Sequence, residues 1–593
     1  MTDLPKNSKL GTRSRSAGRR SMSLYAEGEP MVWLTGGALA FSLLMILAML
    51  VYVFYMGFSN FWPQRVSKIT THAGQVHMGS VSRVQTYKPS LANVDRLPEA
   101  LRDATREQLL ETDGYTLRTL LYTGNYDLTG TRFQWVSDYE IDAREYPEWA
   151  LLVERRMDGN FYGMPVAFER DGEPVTESPG EIWEHYREIH PEVRRRFRER
   201  ERIRTVEMGR VNRRQETARR RLVEATNRFA NDDLSAEELD LVRQETEAII
   251  ADTRKEHAEL TERVDAINTE NRRYGLVMET DQGRRHTLFF DDIVLAFPGN
   301  QLSLFQKVRI FGERWREFIF DDPREANMEG GVYPQIIGTV TMTLVMTIFV
   351  VPFGVIAALY LREYAKPGPI VSAVRIAINN LAGVPSIVFG VFGLGFFCYI
   401  MGGYLDDWFY SASPVPTYRG GGVLWASLTL ALLTLPVVIV ATEEALSAVP
   451  GSMREGSYAC GASKWQTIKR IVLPRAMPGI MTGMILAMAR GAGEVAPLML
   501  VGAVKLAPSL PFDIHNLSGT LGPIPTGPIH LERSFLHLGF HIYDLGFQSS
   551  DSEAARPMVF TTTLLLITII VLLNLTAIMI RTRLRKKFQS GAF

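Results

Sequence analysis

Long stretches without charge alternate along this chain with stretches that are crowded with Arg and Glu. A helix needs about 20 mostly apolar residues to cross a lipid bilayer. Six windows reach that length, namely 31–64, 330–361, 376–405, 420–442, 476–504 and 557–580. Only the fifth contains charged residues, Arg490 and Glu494. The pattern therefore predicts an α-helical membrane protein with six transmembrane helices.

The segment between the first two windows has the pattern of a soluble domain. Short alternating runs in 131–170 and 274–297 predict strands, and Asp158-Gly159 and Asp171-Gly172 predict turns between them. The stretch 181–273 is instead highly charged and almost free of Gly and Pro. We expect an α+β domain into which a helical hairpin is inserted.

Apolar or small residues recur in that hairpin at roughly heptad spacing, which predicts a short antiparallel coiled coil. Ser235 and Glu238 have the spacing of a capping box at the start of the second helix. The hairpin is interpreted either as a sensor or docking arm, or as a charged spacer. The spacer is favoured, because a run of charges is usually a solvated face.

The distribution of Lys and Arg predicts the orientation of the spans, although the formal net charge of the 593-residue chain is zero. Basic residues cluster in both terminal tails and in the loop after the fourth window. Basic loops usually face the cytoplasm, and cytoplasmic termini require an even number of spans. We therefore expect a multi-pass membrane protein with both termini in the cytoplasm, an uncleaved first span and the soluble domain on the opposite side of the membrane.

Several kinds of site are not expected. The two cysteines, Cys398 and Cys460, are isolated in sequence, and the histidines of the soluble domain lack metal-ligand spacing. No Gly-x-x-x-x-Gly-Lys-Ser/Thr motif is present, so ATP hydrolysis would have to come from a partner. We predict no cofactor, no metal, no catalytic residue and no nucleic-acid partner. The chain is thus expected to be no enzyme by itself.

The loop after the fourth window carries the most specific pattern. Its first helix is predicted to end at Gly461, since Gly favours the left-handed turn that ends many helices. Ser463 is placed to cap a second helix over 464–473, which Pro474 is expected to stop. The alternative is an amphipathic helix that simply lies on the membrane surface.

This loop resembles the EAA loop of ABC importer permeases. The residues Glu455-Gly456-Ser457, then Gly461, then Ile471-Val472-Leu473-Pro474 keep the spacing of that motif, although Gly456-Ser457 replaces Ala-Ala. The resemblance implies that the loop inserts into a groove of an ATP-binding subunit. The implied docking residues are Glu455, Gly461, Trp465, Ile471, Leu473 and Pro474.

Three further stretches, 361–365, 380–390 and 489–498, resemble the phosphate-specific ABC permeases of the PstA type. The resemblance covers roughly residues 334–587 and does not include the soluble domain. It implies the six-helix fold of type I ABC importer permeases, in the bacterial inner (cytoplasmic) membrane and with the soluble domain in the periplasm. The chain departs from the family pattern at two places that bear on which anion is transported. Val440-Ala441 stands where relatives often have an Arg, and Val495 stands where many have Thr.

Arg490 and Glu494 are the candidate substrate-pathway residues, by analogy with the family. Placing a charge within a span costs about 2.5–3.5 kcal/mol of insertion free energy, so a charged residue there is expected to have a role. The guanidinium of Arg490 can donate to the oxygens of an oxyanion, and Glu494 can neutralise it at rest. The alternative is an ion pair that only locks the helix bundle.

The predicted organisation follows from these patterns. It consists of a cytoplasmic basic tail (1–30), a first transmembrane helix (31–62), a periplasmic domain (63–329) with its hairpin at about 181–273, a permease core (330–580) whose cytoplasmic loop is 443–475, and a second basic tail (581–593). The expected function is import of inorganic phosphate. The expected partners are a second related permease, an ATP-binding subunit dimer, a periplasmic phosphate-binding protein and the lipid bilayer. The alternatives are a permease for sulfate or molybdate, and a membrane-anchored periplasmic sensor or interaction protein.

Overall fold

The computed structural model describes residues 29–90, 94–95, 97–411, 413, 415–514 and 516–589. The chain forms two compact units, Met1–Met56 and Gly57–Phe593. The N-terminal tail, with the basic residues that predict its orientation, lies outside the described residues. The described part of the first unit is helical and belongs to the helix Glu29–Ser59.

Six helices among the described residues are long and apolar enough to cross a membrane, as predicted. They are named the first to sixth spans, and their bounds are Met31–Ser59, Tyr333–Tyr364, Ser386–Phe409, Val423–Ser447, Lys464–Gly493 and Ser552–Arg583. The third begins ten residues later than the apolar run, because Gly383 and Pro385 separate the helix Pro369–Leu381 from it. The fifth extends further into the basic loop than its apolar window.

The fourth span lies at the centre of the membrane region. Its residues Trp425, Leu430 and Val438 are at most 2% exposed and join a core to which the second span contributes Met342 and Met346. Buried hydroxyl groups within these helices donate to backbone carbonyls one turn earlier, as Thr429 does to Trp425 at 2.7 Å. Thr429 and Thr434 are therefore satisfied without water, whereas Thr442 Oγ1 of the same span has no protein partner among the described residues.

The strand-rich domain, residues 63–329, contains two antiparallel sheets. The first has five strands in the order β4-β3-β2-β1-β5. Their bounds are Val66–Thr71 (β1), Val76–Tyr87 (β2), Thr116–Tyr122 (β3), Phe133–Ser137 (β4) and Ile141–Glu145 (β5). Of these, β4 and β5 lie within the stretch 131–170 in which the sequence pattern predicted strands.

The second sheet contains six strands, in the order β10-β9-β7-β6-β11 with β8 paired to β7. Their bounds are Leu151–Arg155 (β6), Asn160–Arg170 (β7), Glu173–Thr176 (β8), Tyr274–Glu279 (β9), Arg285–Phe289 (β10) and Ile293–Pro298 (β11). Asp158-Gly159 and Asp171-Gly172 occupy left-handed backbone conformations between strands, as the turn prediction requires. The strand-bearing soluble domain is therefore confirmed.

A helical arm leaves the second sheet between β8 and β9. It consists of the helix Pro179–Arg202, a π-helical turn Ile203–Glu207, the helix Met208–Ala230 and the returning helix Ala236–Asn271. Ser235 and Glu238 form the predicted capping box. The ion pairs from Arg214 to Asp252 and Glu256, both at 2.8 Å, join the two long helices. Coiled-coil geometry for this pair stays a prediction.

Charged side chains connect the strand-rich domain to the segment that enters the second span. Arg132 pairs with Glu325, and Arg324 pairs with Glu317. Tyr122 donates to Glu329 at 3.3 Å, and burial raises the pKa of Glu329 to about 7. This packed junction fixes the position of the domain relative to the membrane region.

Candidate functional site

The loop between the fourth and fifth spans forms two short helices joined at a glycine. The first is Gly451–Ala459, and the second begins at Lys464 after the cap residue Ser463. The hydroxyl of Ser463 accepts a hydrogen bond from the backbone N–H of Gln466, whose side chain accepts from the N–H of Ser463. Gly461 has φ +80°, a conformation that side chains other than Gly rarely adopt. The predicted turn therefore forms where the motif places its glycine.

Pro474 does not end the second helix, contrary to the prediction. The helix continues through the π-helical turn Ile468–Val472 into Leu473–Gly493, so the loop and the fifth span form one continuous helix. Pro474 lies in the first turn after the change of helix type, where a missing N–H is tolerated. The docking motif is consequently joined rigidly to a membrane span.

The structure places the six predicted docking residues in two groups. Glu455, Gly461 and Trp465 are exposed on the free surface of the loop, and Trp465 keeps 56% of its surface open. Ile471, Leu473 and Pro474 are half-buried where the fifth span begins. The first group is open to solvent, whereas the second lies where the loop passes into the fifth span.

The inner face of the second loop helix is buried against the fourth span. Val472 is fully buried in a cluster with Leu446 and Val449, at the end of that span. Ile468 is 1% exposed. Trp465 therefore does not share a surface with the other apolar residues of the helix. This arrangement differs from an amphipathic helix that lies on a membrane with one continuous apolar face.

Arg454 and Glu363 hold the loop in place, and sequence reasoning did not single them out. Arg454 donates to Glu363 at 3.0 Å, and their side chains are 19% and 10% exposed. The ammonium group of Lys464 lies 4.9 Å from the ring centroid of Tyr364 and donates to the carbonyl of Glu363. The family-like stretch 361–365 was the available signal, because Glu363 belongs to it.

Arg490 and Glu494 form the predicted ion pair, with Nε and Oε1 separated by 3.5 Å. Arg490 lies in the last turn of the fifth span, and Glu494 follows directly after the helix in an extended conformation. Their side chains are 36% and 23% exposed, so part of each is open. The guanidinium is thus neutralised yet still accessible to a small anion.

The two other family-like stretches meet beside this pair. A Cβ atom on Gly390 would lie 2.7 Å from the Cα of Pro497 and 3.1 Å from the side chain of Leu500. The glycine therefore allows the third span to approach the chain just beyond Glu494. Stretches 380–390 and 489–498, which are far apart in sequence, consequently belong to one region of the membrane core.

Comparison with known proteins places these features in a family context. Residues 350–588 match the family described as "Binding-protein-dependent transport system inner membrane component". The phosphate transport system permease protein PstA of Mycobacterium leprae is 41% identical over 199 residues, which cover 33% of this chain and 58% of that protein. PstA 1 of Mycobacterium tuberculosis (strain ATCC 25618 / H37Rv) is 38% identical over 196 residues, or 33% of this chain and 57% of that protein.

Other matches extend over more of the relative. The probable ABC transporter permease protein YqgI of Bacillus subtilis is 29% identical over 292 residues, covering 49% of this chain and 92% of that protein. Among solved structures, the MetNI methionine ABC transporter is 18% identical with a TM-score of 0.29, covering 43% of this chain and 97% of that one. A bacterial alginate importer is 15% identical with a TM-score of 0.32, covering 47% and 90%.

The predicted resemblance to PstA-type permeases is confirmed for the C-terminal region. The chain spans less than two thirds of the length of the mycobacterial PstA proteins, at 58% and 57%. The whole strand-rich domain, including the arm, precedes the residues that the family matches. The six candidate spans together with this match support a multi-pass membrane protein, in which residues 350–588 are similar to the inner membrane component of binding-protein-dependent transport systems.

Proposed function

We propose that this chain is the permease subunit of an ATP-driven importer of inorganic phosphate. The observation that supports this most directly is the Arg490–Glu494 pair, which lies within the residues that the transport family matches, 350–588. The pair keeps a partly open guanidinium near the end of a span, where an unpaired charge would be costly. Phosphate provides the oxygens that such a group binds in bidentate fashion.

Transport requires that the anion is bound only weakly. Glu494 competes with the incoming oxyanion for Arg490, so the permease does not hold phosphate as firmly as an isolated arginine would. As phosphate approaches, Arg490 exchanges the carboxylate for phosphate oxygens, and re-forming the ion pair releases the anion. The partial exposure of both side chains leaves room for this exchange.

The exposed loop surface around Glu455, Gly461 and Trp465 is the proposed docking site for an ATP-binding subunit. Because the loop continues directly into the fifth span, movement of the docked subunit would be transmitted toward Arg490. The proposed assembly contains two ATP-binding subunits, a second related permease and a soluble phosphate-binding protein. The basic side of the spans would face the cytoplasm and the strand-rich domain the periplasm of a bacterial inner membrane.

Substitution of Arg490 tests the proposal. We expect Arg490→Gln to lower uptake of labelled phosphate by at least tenfold in cells that lack other phosphate importers, while the transporter still assembles. Arg419→Gln is the matched control, because Arg419 lies in the loop between the third and fourth spans and pairs at 3.5 Å with an exposed carboxylate, Asp407, at the end of the third span. Normal uptake by Arg490→Gln would remove Arg490 from the transport path.

A double substitution separates transport from bundle locking. The double variant Arg490→Met, Glu494→Met replaces the ion pair by apolar side chains of similar length. Such a replacement of a buried ion pair often leaves the stability of the fold unchanged or raises it. If the pair only locks the bundle, this variant should keep both its thermal stability and its uptake. If the pair lies on the transport path, stability is retained and uptake is lost.

Two alternatives remain for the cargo and the role of the chain. Measuring uptake of labelled sulfate and molybdate beside phosphate distinguishes the oxyanions, and the expected order is phosphate well above both. A membrane-anchored sensor would show no uptake that depends on Arg490. The ion pair within the fifth span favours transport, because a simple anchor does not need a charge at that position.

A further inference from the structure

Two buried polar side chains near the start of the second span have hydrogen-bonding atoms without a protein partner among the described residues. Gln335 is 1% exposed, and neither its amide nitrogen nor its amide oxygen is paired. His537 is fully buried, and its Nε2 is unpaired. Leaving such a group without a partner costs about 1–3 kcal/mol, so these atoms call for a ligand or an ordered water.

The hydrogen bond at the other ring nitrogen defines what His537 can offer. Its Nδ1 accepts from the backbone N–H of Gly539 at 3.1 Å. Burial lowers the pKa of His537 to about 3, so the ring is neutral. A neutral imidazole that accepts at Nδ1 carries its hydrogen on Nε2. The unpaired atom of His537 is therefore a donor.

Contacts between the second span and the chain around His537 bring the two side chains into the same region. The N–H of Leu538 donates to Thr339 Oγ1 at 2.9 Å, and this hydroxyl donates to the carbonyl of Gln335 at 2.7 Å. A Cβ atom on Gly338 would lie 1.9 Å from the carbonyl oxygen of Leu536, so the segment before His537 lies directly on the helix. Gln335 is one helical turn from both contact residues.

The same segment lies beside the Arg490–Glu494 pair. A Cβ atom on Gly539 would lie 2.8 Å from a methyl group of Val495 and 3.1 Å from the ring of His537. Val495 directly follows Glu494 in sequence. The segment that carries His537 therefore contacts the residue next to Glu494.

We propose that Gln335 and His537 form a subsite for a tetrahedral oxyanion that still carries a proton, such as hydrogen phosphate. The proposal rests on the proposed function and adds a second binding position to it. His537 donates one N–H, and Gln335 donates through its amide nitrogen. Both groups are neutral, so the subsite can hold the anion without trapping it and pass it to Arg490.

The amide oxygen of Gln335 makes the subsite selective. Whichever way the amide is oriented, one of its atoms is an acceptor that needs a donor. Hydrogen phosphate supplies a P–OH group, whereas sulfate is fully deprotonated at neutral pH and leaves the acceptor unpaired. A site that hydrogen-bonds a hydroxyl group discriminates strongly against an analogue that lacks it. The subsite should therefore favour phosphate over sulfate.

The experiment uses the assembled transporter in proteoliposomes with excess phosphate-loaded binding protein. We expect Gln335→Met and His537→Leu each to lower phosphate uptake at least fivefold, while ATP hydrolysis stimulated by the binding protein persists. His537→Gln keeps a side-chain N–H donor and should retain most of the uptake. Gln335→Met should also reduce the preference for phosphate over sulfate.

Thr562→Val is the control, because Thr562 is another fully buried residue whose side-chain oxygen is unpaired. Thermal unfolding separates the outcomes. If Gln335→Met and His537→Leu take up phosphate at the wild-type rate and melt at a higher temperature, the two native side chains merely hold water. That result would overturn the subsite. If His537→Leu does not assemble, Gln335→Met alone decides. A wild-type transporter that moves no phosphate would instead overturn the proposed function.

Discussion

At the scale of single residues, Arg454 connects three segments on the basic side of the spans. It donates to the carbonyl of Leu446 at 2.8 Å, to that of Val449 at 3.0 Å and to the carboxylate of Glu363 at 3.0 Å. The two carbonyls belong to the end of the fourth span, where backbone acceptors lack helical partners. Glu363 belongs to the end of the second span. One guanidinium therefore fixes the docking loop relative to two spans.

Loss of this guanidinium should weaken the connection between ATP hydrolysis and transport. We expect Arg454→Met to destabilise the chain by about 1–3 kcal/mol, because three acceptors lose a charged donor. Phosphate uptake should fall about tenfold, while the ATP-binding subunit still binds through the exposed loop surface. Uptake and ATP hydrolysis, measured on the same proteoliposomes, report the ratio of phosphate moved to ATP consumed.

The control for Arg454→Met is Arg470→Met, which removes an exposed arginine from the same loop. It should leave the ratio of transport to hydrolysis unchanged. Equal losses of uptake and hydrolysis in Arg454→Met would indicate simple failure of assembly. That outcome would contradict a positioning role for Arg454.

At the scale of elements, the first part of the arm belongs to the core of the strand-rich domain. Ile182, Tyr186 and Val193 of the helix Pro179–Arg202 are at most 5% exposed and pack on the second sheet. The sequence prediction treated 181–273 as one inserted hairpin, because abundant Arg and Glu hide these buried positions. Only the part beyond the π-helical turn projects from the domain.

Excision of the projecting part should therefore preserve the fold, whereas removal of the whole stretch should not. We expect replacement of residues 214–256 by a short Gly-Ser turn to leave phosphate uptake within twofold of the wild type. The cluster of Ile203, Val211 and Leu260 remains intact in this variant and should hold the shortened helices together. Uptake, expression level and thermal unfolding are the measurements.

Deletion of residues 181–273 is the comparison for that variant. It also removes Ile182, Tyr186 and Val193, and the loss of several buried large side chains costs about 2–5 kcal/mol each. This deletion should unfold the strand-rich domain. Loss of uptake after the shorter excision, with the fold intact, would assign the arm a role in transport and contradict its interpretation as a spacer.

The sequence predicted the elements whose signals are local and missed those whose partners are distant. The spans, the glycine turn at Gly461 and the capping box at Ser235 each depend on a short stretch of residues. Strands β1 to β3 were missed because they bury polar residues, including Ser67, Ser80 and Thr119, which weaken the alternation of hydrophobic and polar positions. In the site, Arg490 and Glu494 were found as charges within an apolar window. Gln335 and His537 were not, because only tertiary packing leaves their polar atoms unpaired.

At the scale of the whole molecule, the strand-rich domain is attached to the membrane region at several separate points. Arg83 pairs with Glu553 at the start of the sixth span, at 2.8 Å. The side chain of Asn327 donates to the carbonyl of Lys505, beyond the fifth span, at 3.1 Å. Tyr122 reaches Glu329 before the second span. The contacts at the start of the sixth span and just beyond the fifth favour a domain that moves with the membrane region rather than on a flexible linker.

The proposed orientation of the whole chain can be tested with its own cysteines. Cys460 is exposed in the basic loop, whereas Cys398 is buried in the third span. If that loop faces the cytoplasm, a membrane-impermeant maleimide added to intact spheroplasts should leave the wild-type protein unlabelled. The same reagent should label Cys460 in inverted membrane vesicles, as detected by a mass shift of the purified protein.

A variant with Cys460→Ser and Val415→Cys should show the opposite pattern, because Val415 is 68% exposed in the loop between the third and fourth spans. Labelling of this variant in spheroplasts shows that the reagent reaches the outer surface. Labelling of wild-type Cys460 in sealed spheroplasts would place the basic loop outside. An ATP-binding subunit in the cytoplasm could then not reach Glu455 and Trp465, and the proposed docking site would be excluded.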